Sequence, residues 1–334
     1  MPYRTYGTPH LLNVCGRVLE DKRIPAPGAA ARRWRNFVAF YKHLESDEVS
    51  GARVLARFGP LVSHGVTDRE GYFSFDLPSQ GTPRVLNTVH LELASDASVR
   101  ASAEVMVPSP RARFGVISDI DDTVIQTKVI SKMRMLLTVA LSNAHTRKPF
   151  KGVAAFYRAL HAGVNPFFYV SKSPWNLYPV LCEFFDLQDL PRGPLLLRDF
   201  GLHLLRRSKD HKRNTIEDIL KTYPRLPFLL IGDSGEEDPE LYAGVLRRHP
   251  ERIRAIYIRS VDPAPARIRA IELLATQVAK TGCQLVLAAD SELAAAHAAA
   301  EGLIQPSELR KVREDRRSDE SIASKAAAST GVLK

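Results

Sequence analysis

Cysteine is scarce in this sequence. Three cysteines occur among 334 residues, at positions 15, 182 and 283, and they form no C-x-x-C pair. This spacing argues against a disulfide framework and predicts reduced core residues. The composition, with 45% hydrophobic and 25% charged residues, is that of a chain with enough apolar material to fold around a core.

Long apolar runs are also missing. No uninterrupted apolar stretch reaches the length that crosses a bilayer, so we expect no transmembrane segment. Residues 1–13 lack the charged start and the apolar centre of a secretory signal. These two absences predict a cytoplasmic protein.

Acidic residues are outnumbered by basic ones. The chain has 47 Lys and Arg against 37 Asp and Glu, a formal net charge of +10. Such an excess favours anionic partners, whether phosphorylated metabolites, anionic lipid head groups or nucleic acid. Part of it lies in basic runs at residues 31–35 and 206–213, for which a solvated surface is the alternative interpretation.

The pattern of apolar and polar residues changes near residue 110. Before it, short alternating segments with polar turns predict a β-sandwich, with strands near residues 14–18, 52–56, 71–77, 85–93 and 101–107. After it, short apolar strands alternate with helical patterns, which is typical of a parallel sheet covered by helices. We therefore predict domains at 1–110 and 111–304, followed by a disordered tail at 305–334.

The second half supplies the elements of an α/β fold. Its predicted strands cover residues 114–118, 166–170, 194–197, 228–231, 253–258 and 284–288. Its predicted helices cover residues 153–161, 175–185, 214–222, 239–248, 265–279 and 291–303.

A cluster of acids follows the first parallel strand. Asp119, Asp121 and Asp122 come where open α/β sheets bind ligands. Carboxylates packed this closely need a cation, and Mg²⁺ is the natural candidate. With Ile120 turned into the core, Asp119 and Asp121 can point toward one centre, where one attacks a phosphorus atom and the other transfers a proton. The alternative is that these acids cap a helix or complete a turn.

Three further elements follow later strands. Ser171 comes at the end of the second strand, where a hydroxyl and backbone N–H groups could hold phosphate, or where a serine could be a helix N-cap. Lys212 opens a helix and could hold phosphate oxygens and offset the carboxylates. Asp233 and Asp238 follow the fourth strand and supply further acids for the metal. A helix N-terminus enriched in acids is the alternative there.

The order Asp119-x-Asp121-x-Thr123, Ser171, Lys212, then Gly232-Asp233 with Asp238 resembles the four motifs of the haloacid dehalogenase superfamily. The resemblance implies a Rossmann-like domain with a minimal cap. It also implies that Asp119 is the nucleophile and a metal ligand. Asp121 would be the general acid/base and would give the metal its backbone carbonyl. The remaining implied roles are support of the loop and phosphate by Thr123, phosphate binding by Ser171 and Lys212, and Mg²⁺ binding by Asp233 and Asp238.

A narrower resemblance covers residues 114–261. Segments 171–175, 211–212 and 232–242 are similar to the actin-patch phosphatidate phosphatase family. That resemblance implies a soluble Mg²⁺ enzyme that releases phosphate from phosphatidate to give diacylglycerol. A phosphatase for nucleic-acid ends or a small metabolite, and a non-catalytic anion-binding protein, are the alternatives. Nucleic acid is disfavoured because no basic platform carries interleaved aromatics.

Residues 129–141 are short and very apolar and lie where the superfamily inserts its cap. We hypothesise that they touch an anionic membrane surface peripherally and admit a lipid phosphate. A helix buried against the sheet is the alternative.

Overall fold

The computed structural model describes residues 1–20, 48–79, 84–121, 123–124, 152–198, 210–261 and 264–317. The basic run 31–35, residues 206–209 of the run 206–213 and the apolar segment 129–141 lie outside the described residues. None of the described helices is long and apolar enough to cross a membrane.

The first half of the chain forms one seven-stranded sheet in the order β4-β3-β6-β7-β1-β2-β5. Its strands are Thr5–Thr8 (β1), Leu11–Arg17 (β2), Arg53–Phe58 (β3), Leu61–Val66 (β4), Tyr72–Pro78 (β5), Leu86–Leu93 (β6) and Asp96–Met106 (β7). All neighbours are antiparallel except β1 and β7.

This sheet differs from the predicted sandwich. The two end strands, β4 and β5, lie in contact, so a single sheet curls into a nearly closed barrel around its own core. The sandwich is not confirmed, because alternation shows that a strand has one buried face but does not show which strands pair. Two strands, β1 and β4, were not predicted from the sequence.

The second half forms a six-stranded parallel sheet, as predicted. Its strand order is β10-β9-β8-β11-β12-β13. Its strands are Gly115–Asp119 (β8), Phe167–Pro174 (β9), Leu195–Arg198 (β10), Phe228–Asp233 (β11), Ile253–Arg259 (β12) and Gln284–Ala288 (β13). Its helices are Val153–His161 (α1), Tyr178–Leu187 (α2), His211–Thr222 (α3), Asp238–Arg248 (α4), Pro265–Ala279 (α5) and Ser291–Ala300 (α6).

Alternate strand residues enter two separate cores. Val116 and Tyr169 pack with α1, α2 and α6 on one face, while Ile117 and Phe168 pack with α3, α4 and α5 on the other. This double burial explains the near-continuous apolar character of the strands. Because β8 pairs in parallel with both β9 and β11, the carboxyl ends of these three strands lie at one edge of the sheet.

The expected disorder after residue 304 does not hold for residues 306–317, which are helical. Val312 is fully buried there, and Leu309 packs against the same core. Only a narrow stripe of this helix faces the protein, so the segment is polar on average. Its average composition therefore did not indicate a helix. The rest of the predicted tail, from residue 318, lies outside the described residues.

Candidate active site

The candidate site lies where the strand order reverses. The chain runs from β8 outward through β9 to β10, then returns to β11 on the other side of β8. Ligands of open α/β sheets bind at the carboxyl ends of strands at such a reversal. Asp119 ends β8 and Asp233 ends β11, and these side chains are only 1% and 0% exposed. The two acids therefore share one edge of the sheet, as predicted.

Lys212 reaches this edge from the first turn of α3. Its Nζ lies 2.9 Å from Asp119 Oδ1 and donates to Asp238 Oδ1, and the lysine is 2% exposed. Burial alone would lower the pKa of Lys212, but the facing carboxylates of Asp119 and Asp238 raise it above its usual value. The ammonium is thus held in its charged form between two acids.

The loop after β11 orients Asp233. Its Oδ1 accepts hydrogen bonds from the N–H groups of Gly235 (2.6 Å) and Glu236 (3.0 Å). Its Oδ2 is buried and has no hydrogen-bond partner among the described residues. Gly232 lets Asp238 approach this strand end, since a Cβ at that position would lie 2.2 Å from Asp238 Oδ2. One carboxylate oxygen of Asp233 is therefore left without a neutralising group.

Three carboxylates converge closely enough to hold a cation. Ligand oxygens of Asp119, Asp233 and Asp238 all lie within 4.8 Å of one another. Burial, reinforced by the charge of Asp238, raises the pKa of Asp233 to about 6. Lys212 supplies one positive charge against three acids, so an additional cation would stabilise the group. Since the donors are oxygens, and one of them is buried with no partner in the part of the chain that the structure describes, the residues fit a hard divalent ion.

Asp121 faces a different set of side chains. Its Oδ2 accepts hydrogen bonds from Ser171 Oγ (2.6 Å) and Ser173 Oγ (3.2 Å), and Ser171 Oγ in turn accepts the N–H of Ser173 (2.8 Å). Burial raises the pKa of Asp121, while the two serine hydroxyls lower it. The Asp121 side chain is not one of the three converging carboxylates. The backbone carbonyl remains its predicted contribution to a metal.

The local structure around Ser171 differs from the prediction. Strand β9 continues through Pro174, a 3-10 turn covers Trp175–Leu177, and α2 begins at Tyr178. Ser171 and Ser173 are therefore not helix N-caps, because Pro174 precedes the 3-10 turn and the α-helix begins only at Tyr178. Because both lie in an extended strand two residues apart, their side chains share one face.

Thr123 lies beside the nucleophile candidate. Its Oγ1 donates to Asp119 Oδ2 across 3.4 Å. This contact suits a loop-supporting residue, and a direct phosphate contact of Thr123 remains a prediction.

Two residues near the site were missed in the sequence. Ser173 was not among the predicted site residues, although the S-x-S spacing at a strand end could have indicated two hydroxyls on one face. Arg267, at the start of α5, donates to the carbonyl oxygens of Ser234 (3.0 Å) and Glu236 (2.7 Å) and so fastens the loop that orients Asp233. No local pattern identifies Arg267, because its partners are about 30 residues away in the chain.

The fold and the site together define a parallel α/β protein with a buried carboxylate and lysine centre at its strand ends. Residues 114–260 match the family model described as phosphatidate phosphatase APP1, catalytic domain. This match begins just before β8 and ends just after β12. It therefore includes all seven of the acid, serine, threonine and lysine positions predicted from the sequence: Asp119, Asp121, Thr123, Ser171, Lys212, Asp233 and Asp238.

Two curated fungal proteins are similar over much of the chain. Phosphatidate phosphatase APP1 of Saccharomyces cerevisiae is 36% identical over 207 residues, which is 58% of this chain and 34% of that protein. An uncharacterized protein of Schizosaccharomyces pombe is 31% identical over 208 residues, with the same two coverages of 58% and 34%. The chain thus spans about a third of the length of these curated relatives.

Among solved structures, a carbohydrate acetylesterase from Xanthomonas citri aligns with 12% identity over 84% of this chain and 76% of that chain. The TM-score of this alignment is 0.28, so we draw nothing from it.

Proposed function

We propose that this protein is a Mg²⁺-dependent phosphomonoester hydrolase that acts through an aspartyl-phosphate on Asp119, with phosphatidate as its substrate. The observation that carries the proposal is the convergence of Asp119, Asp233 and Asp238 around Lys212 at the reversal of the strand order. The similarity of residues 114–260 to a phosphatidate phosphatase catalytic domain supports the same chemistry. The motif order further supports a haloacid dehalogenase-like arrangement.

Asp119 is the proposed nucleophile. Its carboxylate would attack the phosphorus atom, forming an acyl-phosphate bond as the bond to the leaving oxygen breaks. Lys212, 2.9 Å from Asp119 Oδ1, would hold the phosphoryl oxygens together with Ser171 and offset the negative charge that gathers in the site. Water would then cleave the acyl phosphate, which releases inorganic phosphate and restores the carboxylate.

Asp121 is the proposed general acid and base. Its buried carboxyl has a raised pKa, so it can carry the proton that the departing alkoxide needs. In the second step the ionised Asp121 would take a proton from the attacking water. The hydroxyls of Ser171 and Ser173 orient this carboxyl before the substrate binds.

The residues that would hold Mg²⁺ are Asp119, Asp233 and Asp238, with the backbone carbonyl of Asp121. When bound, the ion would neutralise the acids and polarise the phosphoryl group. The buried Oδ2 of Asp233, which has no partner within the described ranges, is the feature that most favours this assignment.

Phosphatidate is the proposed substrate because of the similarity to the yeast enzyme and the net charge of +10, which favours an anionic surface. We also propose that the protein is cytoplasmic and meets the lipid through peripheral contact with an anionic membrane.

Phosphate release by the purified full chain tests the proposal. With Mg²⁺ the protein should hydrolyse a generic aryl phosphate, and Asp119→Asn should abolish the reaction while leaving the fold intact. Phosphatidate vesicles and a 3′-phosphorylated oligonucleotide would then be compared at equal phosphate concentration. Faster release from the oligonucleotide would reject phosphatidate as the substrate. Release from none of the three would favour an anion-binding protein instead.

A further inference from the structure

The N-terminal sheet contacts the segment that follows the two serines of the candidate site. Tyr3, just before β1, stacks on Trp175 with ring centroids 4.2 Å apart and an interplanar angle of 21°. Tyr3 is buried in the core that also contains α1 and α2. The ring of Tyr3, from the N-terminal part of the chain, therefore covers Trp175. Such stacking favours one position of the indole.

Polar contacts hold the same segment. The backbone N–H of Arg4 donates to the hydroxyl of Tyr178, and the Arg4 guanidinium lies 2.9 Å from an Asp186 carboxylate oxygen on α2. Arg17, at the end of β2, donates to Asn176 Oδ1 across 3.4 Å. Hydrogen bonds and an ion pair therefore hold the turn at residues 175–177 and the helix after it. They come from Arg4, just before β1, and from Arg17, at the end of β2.

Arg17 is itself fixed in place. Its guanidinium lies 2.7 Å from Glu48 Oε1, donates to the carbonyl of Glu70 at 2.8 Å and sits 4.6 Å from the centre of the Tyr72 ring. The residue is 9% exposed. A side chain held in this way can serve as a rigid support, because its rotamer freedom has already been lost.

A single residue separates Trp175 from Ser173. Pro174 has a φ of −73°, which its ring locks, so the backbone between the two residues has little freedom to absorb a shift. Ser173 donates through its hydroxyl to Asp121 (3.2 Å) and through its N–H to Ser171 Oγ (2.8 Å). A displacement of Trp175 would therefore move both hydroxyls that hold Asp121.

We propose that Tyr3 and Arg17 are positioning residues for the active site: they hold the 175–176 turn, and through it keep Ser171 and Ser173 on Asp121. The N-terminal sheet is then part of the catalytic unit rather than a separate attachment. This inference rests on the proposed function, in which Asp121 transfers the proton.

A matched pair of variants tests the inference. Tyr3→Ala removes the ring that covers Trp175. Tyr6→Ala removes another aromatic ring that reaches from the N-terminal sheet to the parallel sheet, where it meets Phe168 edge-on at 5.5 Å in the other core. Both changes should lower the unfolding temperature. Only Tyr3→Ala should also lower kcat toward an aryl phosphate, by roughly 10- to 100-fold with little change in KM, as expected for a misplaced catalytic group. Tyr3→Phe keeps the stacked ring and should restore kcat.

Hydrogen exchange gives a readout that does not need activity. The peptide covering residues 171–177 should exchange faster in Tyr3→Ala than in wild type, and at the wild-type rate in Tyr6→Ala. If Tyr3→Ala does not fold, Tyr3→Leu retains apolar volume without the stack and replaces it. A folded Tyr3 variant with wild-type kcat and wild-type exchange would overturn the inference. If the wild-type protein releases no phosphate but Tyr3→Ala still exchanges faster, the proposed function is rejected. The coupling between Tyr3 and residues 171–177 is then still supported.

Discussion

Lys212 Nζ lies 2.9 Å from Asp119 Oδ1 in a part of the protein where both side chains are almost fully buried. The same ammonium also faces Asp238, so one cation serves two acids. Taking such groups out of water is costly, and their attraction compensates only while all partners are present. The stability of this buried cluster therefore depends more on its internal charge balance than on packing.

Removing this ammonium should destabilise the metal-free fold. In Lys212→Met, Asp119 and Asp238 are left buried without their counter-ion, and we expect a loss of about 3–5 kcal/mol in the free energy of unfolding in EDTA. Added Mg²⁺ should recover part of the loss, because it replaces the missing positive charge. Denaturant unfolding with and without Mg²⁺ measures both effects.

Lys221→Met on the same helix is the matched control. Lys221 pairs with Asp218 at 3.1 Å, but its side chain is 69% exposed, so its loss should cost no more than about 1 kcal/mol. Equal losses from the two variants would show that the buried pair has no special energetic role.

The raised pKa of Asp233 predicts opposite pH trends for the metal-free and the Mg²⁺-bound protein. Burial, then the charge of Asp238, raises this pKa to about 6. The folded state therefore binds a proton more tightly than the unfolded chain, and this contribution to stability is complete below about pH 4 and lost as the pH rises through about 6. Mg²⁺ requires the ionised acid, so stabilisation by Mg²⁺ should grow over the same interval.

Unfolding temperatures from pH 4.5 to 7.5, in EDTA and in Mg²⁺, measure these trends. Asp233→Asn removes the titrating group and serves as the reference at every pH. We expect the stability of wild type relative to Asp233→Asn to fall with rising pH in EDTA and to rise with pH in Mg²⁺. A Mg²⁺ effect of equal size at pH 5 and pH 7 would contradict the assignment of Asp233 as a ligand.

The Ser173 hydroxyl should contribute to catalysis although it was not predicted as a site residue. In Ser173→Ala, Asp121 loses the bond of 3.2 Å and retains the bond of 2.6 Å from Ser171. A hydrogen bond to a charged group is worth about 1.5–3 kcal/mol, so we expect kcat to fall by roughly 10- to 100-fold. Steady-state hydrolysis of an aryl phosphate measures the change.

Ser102→Ala, on the exposed side of the N-terminal sheet, should leave kcat unchanged and controls for the loss of a serine hydroxyl. Wild-type activity in Ser173→Ala would mean that Ser171 orients Asp121 alone.

Much of the parallel sheet could be predicted from the sequence, because its strands are buried on both faces and their apolar runs are continuous. The helices at Val153–His161 and Pro265–Ala279 have the predicted limits for the same local reason, a clear helical period. The acids and Lys212 were identified because each follows a strand, and the carboxyl ends of parallel strands meet at one edge.

The remaining features depend on contacts between distant parts of the chain. Strand Thr5–Thr8 is short and largely polar, and it is held by pairing with strands on both sides rather than by its own pattern. The curvature of the N-terminal sheet and the stacking of Tyr3 on Trp175 arise from tertiary packing. A single sequence contains no local signal for either.

Arg267 should control metal affinity from outside the group of metal ligands. Its guanidinium donates to the carbonyls of Ser234 and Glu236, on either side of Gly235, whose N–H orients Asp233. Arg267→Gln loosens this loop, and we expect Mg²⁺ affinity to fall about tenfold, the lower end for partners that orient a ligand. Calorimetric titration with Mg²⁺ measures this, and Arg248→Gln, which breaks a pair of 2.7 Å with Glu217 between two helices, is the matched control. Equal Mg²⁺ affinities in both variants would show that the backbone alone shapes the loop. A loss of affinity in Arg267→Gln alone would establish that a side chain on α5 controls Mg²⁺ binding by the acids of β11 and α4.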